Sequence, residues 1–100
     1  MIDWTRVQTL KDELGAEDFV EVVGMFLAEV EEVIARLRTN VNHDNLEADL
    51  HFLKSSALNL GFSNVSELCG SGEDAAAAGK QVDVARILAA YAESRDAFKP

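Results

Sequence analysis

One histidine in the middle of the chain has neighbours that suit phosphoryl chemistry. His51 begins the segment HFLKSSALNLG, in which Lys54 and Ser55 follow at i+3 and i+4. On a helix these residues lie one turn from the imidazole, so an ammonium group and a small side chain adjoin it. An imidazole is nucleophilic near neutral pH because a good fraction of it is unprotonated. With positive charge nearby and little steric bulk, such a group is suited to accept a phosphoryl group.

The segment around His51 is predicted to be a helix that turns the imidazole toward water. Its apolar residues recur at spacings of three and four, which predicts one buried stripe. The stripe comprises Leu46, Leu50, Leu53, Ala57 and Leu60. At 3.6 residues per turn, His51 lies roughly 140° from the centre of this stripe. Leu58 falls near the His51 face and is expected to be exposed there, which suits docking of a protein partner.

Three further side chains are candidates for supporting the imidazole. Lys54 can supply charge for phosphoryl oxygens, and Ser56 can donate a hydrogen bond or cap backbone groups. One ring nitrogen must stay free while an acceptor holds the other as N–H, and an acid on the following helix can do this. Glu73 is our candidate for that acceptor.

The rest of the chain is predicted to form four more helices. The first spans about 4–14, the second about 16–39 and the fifth about 82–98, and the fourth begins at Ser63. Asp3 is expected to cap the first, and Asn42 or Asp44 the third, which runs to about Leu60. Gly15 and Gly61 are expected to end the first and third helices. Ser63 is expected to cap the fourth, and residues 79–81 form the last turn.

The second helix carries the longest apolar seam. Its predicted inward residues are Phe19, Val23, Phe26, Val30, Val33 and Leu37, widened by Val20, Val22, Leu27 and Ile34. This spacing is typical of a bundle. Gly24 interrupts the helix, and close approach of a neighbouring helix is the usual reason. On the fourth helix, Val65, Leu68, Cys69, Gly72, Ala75 and Ala76 are predicted to form a narrow inner face.

These elements predict an all-α fold in one domain, residues 1–100. The chain has 100 residues, 48% hydrophobic and 27% charged, and its one proline is Pro100. Four substantial helices with short connections favour an antiparallel up-down-up-down four-helix bundle, with the short N-terminal helix covering one end.

Composition also excludes several kinds of function. A net charge of −9 argues against nucleic acid. The one cysteine, Cys69, is expected to be a small buried hydrophobe rather than a disulfide partner. His43 lies in a turn and is expected on the surface, and the two histidines lack the spacing of a metal site. No signal peptide or run of about 20 apolar residues is present, so we expect a cytoplasmic protein without a membrane span.

The segment His51–Gly61, His-x-Leu-Lys-Ser-Ser-Ala-x-x-x-Gly, resembles the signature of histidine-containing phosphotransfer (HPt) domains. The helix layout is similar over nearly the whole chain. The resemblance implies that His51 is the phosphorylation site, that Lys54 assists the phosphoryl group, and that Glu73 bonds the imidazole. In two positions the chain departs from the family pattern. Ser55 replaces the usual glycine beside the imidazole, and Gly72 replaces a leucine, from which we expect a looser fourth helix.

The resemblance implies a phosphorelay intermediate, without an ATP site, that is a carrier rather than an enzyme. It would exchange phosphoryl groups with response-regulator receiver domains and a hybrid or other histidine kinase. It would need no cofactor, since magnesium belongs to the receiver. A monomer of bacterial origin is expected, free-standing because the chain starts early and ends at Pro100. Two alternatives stay open: a substrate domain of a larger histidine kinase, or a non-phosphorylated helical module that binds or sequesters a regulator.

Overall fold

Five helices make up the computed structural model, which describes residues 2–99. They are α1 (Trp4–Leu14), α2 (Ala16–Thr39), α3 (Leu46–Leu60), α4 (Ser63–Ala77) and α5 (Val84–Ala97). The described residues contain no strand, so the predicted all-α class is confirmed. Helices α3 and α4 share the most extensive contact. None of the helices in this range combines the length and apolar character needed to cross a bilayer.

Gly61 ends α3 as predicted and is constrained from two sides. Its φ of +76° lies in the left-handed region that glycine tolerates, and its N–H bonds the last carbonyls of the helix. A Cβ there would also stand 2.7 Å from the Asp3 carbonyl oxygen. The Asp3 N–H donates to the Gly61 carbonyl at 2.7 Å, so the segment before α1 is fastened to the α3–α4 junction.

Side chains cap α1 and α5 but neither α3 nor α4. Asp3 Oδ1 accepts from the Arg6 N–H at 3.1 Å, as expected. Asp83 Oδ1 accepts from the Arg86 N–H at 3.1 Å, and this is why α5 begins at Val84 rather than at residue 82.

The predicted caps of α3 and α4 are wrong. Asn42 Oδ1 bonds the Asp44 N–H at 3.0 Å, so both residues are used in a local turn while α3 starts after Asn45. Ser63 is already the first helical residue of α4. The preceding residue, Phe62, is fully buried, so core packing rather than a hydroxyl cap fixes where α4 begins.

The core includes residues from every helix. Its buried members are Val7, Leu10, Phe19, Val23, Val30, Val33, Ile34, Leu37, Leu46, Leu50, Leu53, Ala57, Leu60, Phe62, Val65, Cys69, Ile87, Tyr91 and Phe98. The third-helix stripe is therefore buried as predicted. At one end of the bundle Phe62 packs on Tyr91 and Phe98, with ring centroids 6.1 and 5.2 Å away.

Two expectations for α2 fail. Val20 is 70% exposed rather than part of the seam, because it lies one residue beyond buried Phe19, on a side that no helix covers. Within residues 2–99, no atom outside the helix itself lies within 4 Å of a Cβ built on Gly24, so no neighbouring helix of this range approaches it. Phe26 and Leu27 are only partly buried.

Gly72 has the close neighbours that Gly24 lacks. A Cβ on Gly72 would lie 3.1 Å from Leu50 Cδ1 and 3.2 Å from Val82 Cγ1. The missing side chain therefore lets α4 pack tightly, and the expectation of a looser fourth helix is corrected. Among the described residues, in contrast, Lys54 is the one side chain within 4 Å of a Cβ built on Gly70.

Replacing Ser94 by alanine is expected to stabilise the protein. Ser94 Oγ is fully buried and has no hydrogen-bond partner within residues 2–99. Removing an unsatisfied hydroxyl relieves its desolvation penalty, so we expect Ser94→Ala to raise the free energy of unfolding by about 1 kcal/mol in urea denaturation. Ser71→Ala, at an exposed position of α4, controls for helix propensity. An equal gain in the two variants would contradict the role of the buried hydroxyl.

Candidate functional site

One carboxylate on α4 holds two side chains of α3. Glu73 Oε2 lies 2.7 Å from His51 Nδ1, and Glu73 Oε1 lies 2.8 Å from Lys54 Nζ. The His51 side chain is 63% exposed, whereas that of Glu73 is 18% exposed. The three residues that the sequence singled out thus lie together, with the imidazole outermost.

The charge on Glu73 determines which ring nitrogen carries the proton. The hydrogen bond from Lys54 holds the pKa of Glu73 below its usual value, opposed by partial burial and reinforced by His51. An ionised carboxylate can only accept hydrogen bonds, so Nδ1 must be the donor in the 2.7 Å contact. In the neutral imidazole, Nε2 is then unprotonated and its lone pair is free to react.

Lys54 keeps its charge in the same arrangement. Its hydrogen bond to Glu73 raises the pKa of the ammonium group above 10.5, against the effect of partial desolvation. Since the pKa of Glu73 is lowered and that of Lys54 is raised, this pair stays ionised between about pH 5 and about pH 10. The positive charge beside the imidazole is therefore constant over the physiological range.

Comparison with protein-family models adds the decisive observation. The Hpt domain model matches residues 21–98, a range that includes His51, Lys54 and Glu73. The chain belongs to the HPt-domain family. Searches among curated proteins and among solved structures gave no match. At the level of the family, membership means phosphotransfer in two-component signalling by a phosphocarrier module, with receiver domains and histidine kinases as interaction partners.

The exposed side chains near the imidazole of this HPt domain include one small residue and one apolar residue. Leu58 is 62% exposed, as predicted. Ser55 is exposed as well, in the position where the family pattern has glycine. Ser56 is buried on the core side of α3, so it does not share the exposed surface of His51.

The pairing of Lys54 with Glu73 was missed by reasoning from the sequence, which assigned each residue a separate partner. The helix register alone does not show that one carboxylate can reach both. Gly70 lies one turn before Glu73 on α4. Its position beside the Lys54 stem depends on the packing of α3 against α4.

The remaining candidates lie apart from this site. Cys69 is fully buried, and burial raises the pKa of its thiol to about 12, so it stays protonated. His43 is exposed in the turn before α3. Residues 2–99 contain no group of three histidine, cysteine or acidic side chains arranged to hold a metal.

Proposed function

We propose that this HPt domain is a phosphorelay intermediate in which Nε2 of His51 accepts a phosphoryl group and passes it on. The donor would be a receiver-domain aspartate or a histidine kinase, and the acceptor another response-regulator receiver. The observation that carries this proposal is the 2.7 Å contact between His51 Nδ1 and Glu73, which leaves Nε2 free on an exposed ring.

The transfer balances without loss of a proton from the ring. The Nε2 lone pair attacks phosphorus, the P–O bond of the aspartyl phosphate breaks, and its electron pair returns to the aspartate carboxylate. The imidazole, with hydrogen on Nδ1 and phosphorus on Nε2, becomes a cation. Glu73 lies against that cation and stabilises it, and the reverse step returns the group to a second receiver.

The partner would meet the exposed face of α3. Leu58 offers an apolar contact about two turns along the helix from His51. We expect no resident cofactor in this chain, with magnesium held by the receiver. A monomer, a single domain over 1–100, the up-down-up-down antiparallel order and a bacterial cytoplasmic setting stay predictions from the sequence and the family.

Lys54→Ala is expected to slow transfer about ten-fold while leaving helicity unchanged. The variant loses a charge-assisted contact to the phosphoryl oxygens, which lowers the rate by the stated factor. Single-turnover transfer from a phosphorylated receiver measures the rate, and circular dichroism measures the fold. Lys80→Ala removes the same charge from the exposed turn between α4 and α5 and should transfer at the wild-type rate. A large loss of helicity in Lys54→Ala would instead show that Lys54 is needed for the fold.

The direct test incubates the protein with a phosphorylated receiver domain. A phosphorylated imidazole carries a label that is lost in acid and stable in base, whereas a non-phosphorylated binding module carries none. Transfer of this label onward to a second receiver would complete the proposed sequence. Binding without any label on the chain would contradict it.

A further inference from the structure

The Lys54 stem lies across a part of α4 that has no side chain. A Cβ on Gly70 would stand 3.4 Å from Lys54 Cδ, and no other atom of residues 2–99 outside its own helix lies within 4 Å. Gly70 precedes Glu73 by three residues, so the two lie on the same face of α4, one turn apart. The path of Lys54 from α3 to the Glu73 carboxylate therefore runs over Gly70.

We propose that Gly70 is a positioning residue for the phosphoryl transfer, because its bare backbone leaves the space through which Lys54 reaches Glu73. This inference rests on the proposed function of His51 for its kinetic consequence. Its structural part, the seating of Lys54 on Glu73, is independent of any phosphorylation.

Sterics predict what other residues would do at this position. The 3.4 Å distance is an ordinary van der Waals contact, so an alanine Cβ fits beside the Lys54 stem. A longer side chain adds atoms beyond that Cβ, and a rotamer directed at the Lys54 stem competes with it for the same space. A β-branched residue is the most intrusive, since its two γ-branches leave one preferred rotamer in a helix. Lys54 would then leave Glu73.

Packing between helices does not explain Gly70. Glycine inside a helix is less favourable than alanine, and close packing is one structural use that offsets this. At Gly72 that use is the close approach of Leu50 and Val82. At Gly70 the one neighbour is Lys54, a residue of the site itself.

The test replaces Gly70 by isoleucine, glutamine and alanine. Two quantities are measured: the pKa of the Glu73 carboxylate by carboxyl ¹³C NMR, and the single-turnover rate of transfer from a phosphorylated receiver. Gly70→Ile and Gly70→Gln are expected to raise the Glu73 pKa toward its usual value and to slow transfer about ten-fold, as Lys54→Ala does. Gly70→Ala is expected to keep both near wild type.

Gly24 provides the matched control. It also lies inside a helix, and nothing approaches its Cβ position, so Gly24→Ile and Gly24→Ala change helix propensity without touching the site. Both should leave the Glu73 pKa and the transfer rate unchanged.

Combining Gly70→Ile with Lys54→Ala separates positioning from a general structural effect. If Gly70 acts through Lys54, the double variant is no slower than Lys54→Ala to within about two-fold. An unchanged Glu73 pKa in both Gly70→Ile and Gly70→Gln, or a full additional loss of rate on top of Lys54→Ala, would overturn the proposal. If the wild-type protein takes no label at all, the proposed function fails, while the carboxyl titration still decides whether Gly70 seats Lys54.

Discussion

His51→Gln is expected to abolish acceptance of the phosphoryl group and to leave the fold intact. The glutamine amide has no nucleophilic lone pair comparable to that of Nε2. Because the His51 side chain is 63% exposed, its loss removes nothing from the core. After incubation with a radiolabelled phosphorylated receiver, the variant should carry no acid-labile, base-stable label, and its circular dichroism spectrum should match that of the wild type.

His43→Gln is the matched control for this experiment. It makes the same substitution at the other histidine, which is exposed in the turn before α3. This variant should accept label as the wild type does. Label that persists in His51→Gln but disappears in His43→Gln would show that His43 is the acceptor, which would contradict the site described above.

Glu73→Ala is expected to slow transfer about a hundred-fold, a typical loss when a preorganised electrostatic stabiliser is removed. Three effects combine, since the ring loses the acceptor that fixes its tautomer, the phosphorylated cation loses its counter-charge, and Lys54 loses its partner. Glu73→Gln retains a carbonyl oxygen that can accept from Nδ1 but lacks the charge. We expect a smaller loss of about ten-fold for it.

The mechanism predicts an order of transfer rates as well as their sizes, with Glu73→Ala slower than Glu73→Gln. Single-turnover transfer measures the rates, and ¹⁵N chemical shifts of the imidazole report the tautomer, which should become mixed in Glu73→Ala. Glu67→Ala removes the same charge from an exposed position on α4 and should behave as the wild type. Rates for Glu73→Ala equal to those of Glu67→Ala would show that the carboxylate takes no part.

Helix positions followed from the sequence better than helix caps did. The bounds of α1 and α2 agree with the apolar periodicity and with Gly15 between them. Whether a polar side chain caps a helix depends on whether it bonds the helix or its own turn, and residue type alone does not decide this. The Asn42 side chain bonds the Asp44 N–H within its own turn, and Ser63 is already helical after buried Phe62.

Contacts between helices were the least predictable part of the site. The exposure of His51 follows from the leucine stripe of one helix, and single-helix periodicity is sufficient for it. The position of Glu73 opposite His51 requires the register of α4 on α3, which the family resemblance supplied and periodicity did not. The bridge from Glu73 to Lys54, and the passage of Lys54 over Gly70, need that register and the close packing together.

The two ends of the described chain meet at the far end of the bundle from the turn before α3. The rings of Trp4 and Phe98 stack with centroids 6.1 Å apart, next to the Asp3–Gly61 contact. Gly61 follows His51 by ten positions, about 15 Å along the helix axis. A fluorophore attached to the exposed Lys99 side chain would therefore lie beside the same aromatic cluster. It would stand roughly 15 Å from the imidazole along the axis of α3, which is within the reach of a short linker.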